Sequence, residues 1–192
     1  MYTAARQEPL ELMSHDRWWA VIDNMSLGSQ FRQELEHLSR LEASEHEDGK
    51  GNMAYLLDQG IAQMSVNLLP FIQHIIVKCG NLGIFTIFRI PAEEAKNSAW
   101  GFETTNVKAR QVVACGKDGE LVVLKHFPAL ELPPSGVVNV TGAGDSLVGS
   151  LLASVVQNPK TFNDPATLDM AINRAQQVWV IYAQTRHRLT PS

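Results

Sequence analysis

The chain has 192 residues, of which 45% are hydrophobic and 19% charged, and its formal net charge is -4. This composition is typical of one globular domain, and the acidic balance leaves no basic excess for nucleic acid phosphates. Polar residues break every apolar stretch below the roughly 18 residues of a membrane-spanning helix, so we expect a small-molecule partner, not nucleic acid or a membrane.

The first sixty residues predict a helical lead-in. Residues 1–16 are charged and lack the apolar core of a secretory signal, and the chain has two cysteines, which together favour a reduced, cytoplasmic protein. Over 14–41, apolar residues recur at helical spacing, and Gly28 separates two helices. Trp18 and Trp19 are better explained as anchors of a helix than as a base-stacking surface. Residues 42–50 are acidic and aperiodic, which predicts a solvated loop.

The middle of the chain predicts one helix and two strand pairs. A short helix over 61–69 ends near Pro70, and strands over 75–80 and 83–90 follow around a tight turn from Gly80 to Gly83. Residues 91–106 are polar and predicted to be irregular. Two further strands, over 111–115 and 120–127, flank a turn and predict a hairpin. This mixture of strands and helices indicates an α/β layered fold.

The last third predicts a strand, a glycine-rich loop and two helices. A short strand over 137–140 runs directly into the loop 141–145, and an apolar helix over 146–156 follows. The terminal helix carries an apolar stripe that we assign to the core and not to a site. The stripe consists of Leu168, Ala171, Ile172, Ala175, Val178, Trp179 and Tyr182.

The loop 141–145 has the features of an anion site. Its sequence is Thr-Gly-Ala-Gly-Asp, and the helix after it begins with backbone N–H groups that lack intrahelical partners. Gly142 and Gly144 carry no Cβ, so the backbone can approach a phosphate closely. Asp145 would lie beside that phosphate, where a carboxylate can accept the proton of an attacking hydroxyl. The pattern alone fits equally well a turn whose glycines serve packing and whose Asp145 caps the helix.

The segment NVTGAGDSLVGSLL resembles the C-terminal signature of the ribokinase, or PfkB, family of carbohydrate kinases. The resemblance covers 61–192 and implies a ribokinase-like, three-layer α/β fold. It implies an ATP-dependent phosphotransferase that acts on a hydroxyl of a sugar or nucleoside, with Mg²⁺ required by the reaction. By resemblance, Asp145 is the catalytic base, and the backbone N–H groups of Gly142, Ala143 and Gly144 form the anion hole.

The resemblance also implies a nucleotide contact at the strand-turn-strand segment that contains Lys78, Gly80 and Gly83, with Thr141 as a further contact. Lys78 has a second interpretation, since its long stem can equally extend from the sheet edge into solvent. Many family members have Asp six residues before the base, where this chain has Asn139. The backbone carbonyls of Asn139 and Thr141 are the candidates for a monovalent cation such as K⁺.

Two segments upstream of this signature indicate a subfamily within the PfkB family. WWAVIDNMSLGSQFR and LLPFIQHIIVKCGNLGIF resemble the PfkB part of fungal proteins that join such a kinase to a pseudouridine-phosphate glycosidase. Pseudouridine is therefore the expected acceptor, with ribose, fructose or adenosine as alternatives.

The N-terminal half of the family fold has no counterpart in this sequence. We therefore expect 1–192 to form a single partial kinase domain, with a lead-in over 14–60 and a nucleotide-binding part over 61–192. A parallel sheet is normally covered on both faces, so strand edges and apolar surface should be exposed. This favours a truncated product, a fragment, or a chain that needs a partner, either a second copy or the missing half. The alternative function is a non-catalytic nucleotide-binding or interaction module.

Overall fold

The computed structural model describes His37, Arg40 and residues 55–57, 59–100, 110–116, 118–130 and 142–185. Apart from the helical positions His37 and Arg40, the helices predicted over 14–41 lie outside these residues, as do the loop over 42–50 and the strand over 137–140. The helices are α1 (Ile61–Leu68), α2 (Ala92–Ala95), α3 (Ala143–Gln157) and α4 (Pro165–Thr185). The strands are β1 (His74–Lys78), β2 (Ile84–Ile90), β3 (Gln111–Cys115) and β4 (Leu121–Phe127).

The four described strands form one sheet in the order β1-β2-β4-β3, and every neighbouring pair is antiparallel. The pairing within each of the two predicted strand pairs is therefore antiparallel, as their tight turn and hairpin require, and these four strands form no parallel pair. The reason lies in the connections, because five residues separate β1 from β2 and five separate β3 from β4. Parallel neighbours need a crossover of a dozen or more residues, whereas antiparallel neighbours can be joined by a short turn.

Helices cover both faces of the sheet, which gives the three-layer α/β architecture. Alternate residues of the central strands pack on one face against α1, where Ala62, Val66 and Leu69 are buried. The opposite residues pack against α3 and α4, where Leu147, Leu168 and Ile172 belong to the core. Because β2 and β4 are central, they are buried almost throughout, while β1 lies at an edge and is half-exposed.

Most predicted elements in the described residues are present with bounds that differ by at most three residues, and one short helix was not predicted. The short helix α1, the strand-turn-strand segment and the β3–β4 hairpin are confirmed. The interval 91–106, predicted to be irregular, contains the single-turn helix α2 at its start. The apolar helix predicted from Ser146 begins three residues earlier, at Ala143, so that Asp145 lies within its first turn. None of the helices in the described ranges is long and apolar enough to cross a membrane.

Candidate functional site

The turn after β1 is packed tightly against the end of β4. Gly80–Leu82 forms a single 3₁₀ turn, and Gly83 follows it with a φ of 93°. A Cβ at Gly83 would overlap the backbone of Phe127, Pro128 and Ala129, so only glycine lets the two segments approach this closely. His126 stabilises the turn by a hydrogen bond. Its Nε2 lies 2.7 Å from the carbonyl oxygen of Leu82, and because that oxygen can only accept, the Nε2 is the donor.

The N-terminus of α3 begins at a glycine in the left-handed region. Gly142 has a φ of 82°, and its carbonyl oxygen accepts from both the backbone N–H and the hydroxyl of Ser146, each at 3.0 Å. Asp145 is exposed in the first turn. The hydroxyl of Tyr182 on α4 lies beside Gly142, since a Cβ built there would be 2.9 Å from the tyrosine oxygen. Helix α4 therefore closes one side of this helix start.

Lys78 joins β1 to the start of α3. A Cβ built on Gly144 would lie 2.5 Å from the Nζ of Lys78, so the ammonium occupies the space above the first turn that a side chain at 144 would take. Within the described residues, no carboxylate lies in ion-pair range of Lys78. The helix N-terminus already carries a partial positive charge. Two positive groups therefore converge at this point.

A cavity of about 550 Å³ extends from Lys78 into the molecule. One wall is the turn with Gly80, Asn81 and Gly83, and another is the segment at Ala129 and Leu130. The remaining walls come from Ile84 on β2, from Leu147 on α3 and from three residues of α4, which are Gln176, Trp179 and Val180. The cavity is thus charged at its Lys78 end and largely apolar elsewhere.

Cys79 lies between Lys78 and the turn, but its thiol is not activated as a nucleophile. Burial raises the pKa of its thiol, with a smaller opposing effect from a backbone hydrogen bond at Phe85. A thiol with a raised pKa is protonated at neutral pH, and the thiolate is the nucleophilic form. We therefore assign Cys79 to packing against the α1 side of the sheet.

The comparison with protein families matches residues 33–178 to the pfkB family of carbohydrate kinases. The chain belongs to this family. Among curated proteins, a pseudouridine-metabolizing bifunctional protein of Schizosaccharomyces pombe is 24% identical over 177 residues, which is 92% of this chain. The chain spans 20% of the length of that relative. No solved structure matches.

The PfkB domain brings together two segments that are far apart in sequence. Lys78, Gly80 and Gly83 line one cavity, and Lys78 also reaches Gly144. Gly142 and Gly144 stand at the start of α3 with Ala143, which is buried, while Asp145 is exposed there.

Thr141 and Asn139 lie outside the described residues, so the cation site remains a prediction. In the part of the chain that is described, no group of three or more His, Cys, Asp or Glu residues is placed to hold a metal ion.

Sequence reasoning missed the contribution of α4. Assignment of its stripe to the core is correct for Leu168, Ala171, Ile172 and Ala175, which are buried. Trp179 is half-buried and packs against this core, as predicted, but it also lines the cavity. Tyr182 is half-buried and lies against Gly142. A signal was present, because residues 178–182 are all apolar or aromatic and so surround the helix. A helix that packs on one side needs only a stripe.

Proposed function

We propose that this PfkB domain binds ATP with Mg²⁺ and transfers the γ-phosphoryl group to a hydroxyl of a sugar or nucleoside, with Asp145 as general base. The observation that carries the proposal is the ammonium of Lys78 above Gly144, at the end of the 550 Å³ cavity. This arrangement supports the phosphate interpretation of Lys78 over that of a side chain extended into solvent.

The phosphate end of the proposed site is supported by charge. An ammonium next to a helix N-terminus is unfavourable unless an anion lies between them, because both carry positive charge. A phosphoryl group satisfies both at once, since the first backbone N–H groups of a helix and a lysine ammonium all donate to its oxygens. The proposed donors on this chain are the N–H groups of Gly142, Ala143 and Gly144, together with Lys78.

The nucleoside end is supported by shape and polarity. The cavity is of the size that small-molecule sites commonly have. Its walls at Leu130, Leu147, Trp179 and Val180 offer apolar surface to a base, while Lys78 contributes a positive charge to its lining. A nucleoside triphosphate has the matching division into an apolar ring and an anionic tail.

The position of Asp145 in the first turn of α3 supports its proposed role as general base. Its carboxylate is exposed, so an acceptor hydroxyl can reach it from solvent. In the proposed step, a bond forms between the acceptor oxygen and the γ-phosphorus while the bond from that phosphorus to the ADP oxygen breaks. Asp145 takes the hydroxyl proton, and the helix N–H groups and Lys78 stabilise the charge on the transferred group.

Magnesium would enter with the nucleotide. The described residues provide no three-residue ligand cluster, and Mg²⁺ in phosphoryl-transfer sites is commonly bound by one or two carboxylates together with substrate phosphates. Asp145 is the carboxylate nearest in sequence to the anion hole, and the metal would neutralise phosphate charge there. A monovalent cation at the carbonyls of Asn139 and Thr141 remains part of the proposal.

We propose pseudouridine as the acceptor, because the Schizosaccharomyces pombe relative is named for pseudouridine metabolism. The alternative is a module that binds nucleotide without catalysis, which is motivated by the small share of the relative that this chain spans. The two functions differ in turnover and not in ATP affinity.

The deciding experiment measures ADP release by the purified chain with ATP, Mg²⁺, K⁺ and either pseudouridine, ribose or adenosine. We expect release that depends on the acceptor and falls at least 100-fold in Asp145→Ala, since general base catalysis contributes about 10²- to 10⁴-fold. Asp118→Ala is the matched control, because Asp118 is exposed in the β3–β4 turn at the opposite end of β4. ATP binding without any acceptor-dependent release would overturn the kinase proposal and favour the module.

A further inference from the structure

Gln176 is a polar residue inside the apolar part of the cavity. It lies on α4 and is 6% exposed, and it shares a helix face with Trp179 and Val180, which are three and four residues further along. Buried carboxamides normally have hydrogen-bond partners for both their oxygen and their nitrogen. The partners of Gln176 therefore indicate what the cavity is built to bind.

One half of the carboxamide is engaged by the cavity wall. The backbone N–H of Leu130 donates to Oε1 of Gln176 at 3.2 Å. Because an N–H group can only donate, the atom that faces Leu130 must be the oxygen, whichever way the amide is built. The NH₂ group is thereby fixed in orientation, and within the described residues it has no hydrogen-bond partner.

We infer that Gln176 is a specificity-determining residue that donates a hydrogen bond from its NH₂ group to a ring-nitrogen acceptor of the nucleobase of the phosphoryl donor. This inference rests on the proposed function and names the part of the ligand that the cavity reads. Adenine offers acceptors at N1, N3 and N7, and each accepts one N–H bond. Trp179 supplies an aromatic wall on the same face of α4, against which a base can pack.

The alternative role for Gln176 is only to hold the segment at Leu130 in place. The two roles use different atoms, since the wall uses Oε1 and the base uses the NH₂ group. Gln176→Glu keeps an oxygen acceptor for Leu130 and removes the donor. Gln176→Met removes both the acceptor and the donor without adding charge. Gln177→Glu is the matched charge control, because Gln177 is the next residue on the helix and is exposed.

The test measures dissociation constants by titration for ATP, for its 1-deaza, 3-deaza and 7-deaza analogues, and for inorganic tripolyphosphate. In the unaltered chain, we expect one deaza analogue to bind about tenfold more weakly than ATP, the loss of one buried hydrogen bond. Gln176→Glu and Gln176→Met should each bind ATP about tenfold more weakly than the unaltered chain does. Within each of these variants, ATP and that deaza analogue should bind with equal affinity. Tripolyphosphate affinity should be unchanged in both, and Gln177→Glu should behave as the unaltered chain.

Three outcomes would count against the inference. If both variants at 176 bind ATP as the unaltered chain does, Gln176 does not read the base. If the deaza difference persists in the variants, the acceptor is read by another residue. If the unaltered chain does not bind ATP at all, the proposed function fails together with the inference, whereas the first two results leave the proposed function intact.

Discussion

At the scale of single residues, the candidate site depends on two glycines, because they have no side chain to fill the space beside them. Gly144 leaves room for the Lys78 ammonium, and Gly142 leaves room for the Tyr182 hydroxyl while adopting a φ of 82°. A β-carbon at either position would compete with a polar group from another element. The glycines of this loop therefore fix what surrounds the helix start, in addition to letting the backbone approach a ligand.

Gly144→Ala tests this at a single residue. The new Cβ should displace the flexible end of Lys78 with little effect on stability, because a side-chain terminus can move and alanine favours helix. We expect ATP affinity to fall about tenfold, as a charge-assisted hydrogen bond is lost. Titration with ATP, alongside thermal unfolding, measures both.

Gly149→Ala is the matched control for this change. Gly149 lies in the same helix, and a Cβ there meets no atom within 4 Å. It should raise the free energy of unfolding by up to about 1 kcal/mol and leave ATP affinity unchanged. Equal ATP affinity in the two variants would mean that Lys78 does not contact the nucleotide.

At the scale of elements, α4 is started by a capping residue that the apolar pattern did not reveal. Asp164 precedes Pro165, and its carboxylate accepts from the backbone N–H groups of Ala166 at 3.4 Å and Thr167 at 3.1 Å. It also accepts from the Thr167 hydroxyl. This is the arrangement of an N-cap with proline at the first helical position. The cap therefore also fixes the start of the helix that lines the cavity.

Asp164→Ala should lower the free energy of unfolding at pH 7 by about 1 kcal/mol, while Asp164→Asn should retain most of the cap. The hydrogen bond from the Thr167 hydroxyl holds the pKa of the Asp164 carboxyl below its ordinary value of 3.8. A lowered pKa contributes stability above the unfolded value, and this contribution is lost as the pH falls through the folded value.

The difference in stability between the unaltered chain and Asp164→Ala should therefore be constant above about pH 5 and shrink below pH 3.8. Urea unfolding at a series of pH values measures it. A difference that grows on acidification would show that the carboxylate does not stabilise α4.

At the scale of the whole molecule, a partly buried ion pair connects the sheet to its helical layer. Lys125 on β4 pairs with Asp169 on α4, and its side chain is 5% exposed against 42% for Asp169. The ammonium also lies 5.8 Å from the ring centre of Trp100 and 5.2 Å from that of Phe127. A charge this deep in an apolar layer is tolerated because its partners are in place.

Removing the carboxylate and removing the ammonium should lower the free energy of unfolding by different amounts. Asp169→Asn leaves the ammonium buried without its anion and should cost about 2 kcal/mol of unfolding free energy, less than a fully buried pair because Asp169 is partly exposed. Lys125→Met removes the charge at similar volume and should cost less than about 1 kcal/mol. Urea unfolding checks the order, and a larger loss in Lys125→Met would show that the pair itself stabilises the fold.

Two observations in the described residues bear on the expectation of exposed edges and apolar surface, which stays a prediction. In the described sheet, β1 is an outer strand and half-exposed. Just before it, Phe71 is 85% and Ile72 48% exposed. Whether a second copy or another chain covers this edge stays a prediction.

The sequence by itself determined the elements that depend on neighbours in the chain. Hydrophobic periodicity and turn residues gave α1, the strands and the two long helices, since these signals are local. The motif at 141–145 likewise indicated the family, whereas the helix that follows it begins three residues earlier than predicted. The antiparallel pairing of β1 with β2 and of β3 with β4 also follows from the predicted turns, since each connection is too short for a crossover.

Only the tertiary structure decided what meets at the site. Lys78 and Gly144 are 66 positions apart, and Leu130 and Gln176 are 46 apart. Which long-range residues touch depends on the packing of α3 and α4 against the sheet. An apolar stripe on a helix cannot tell a residue that is packed in the core, such as Ile172, from one that lines a cavity, such as Trp179. Both look alike in sequence because burial by protein and burial by a ligand favour the same side chains.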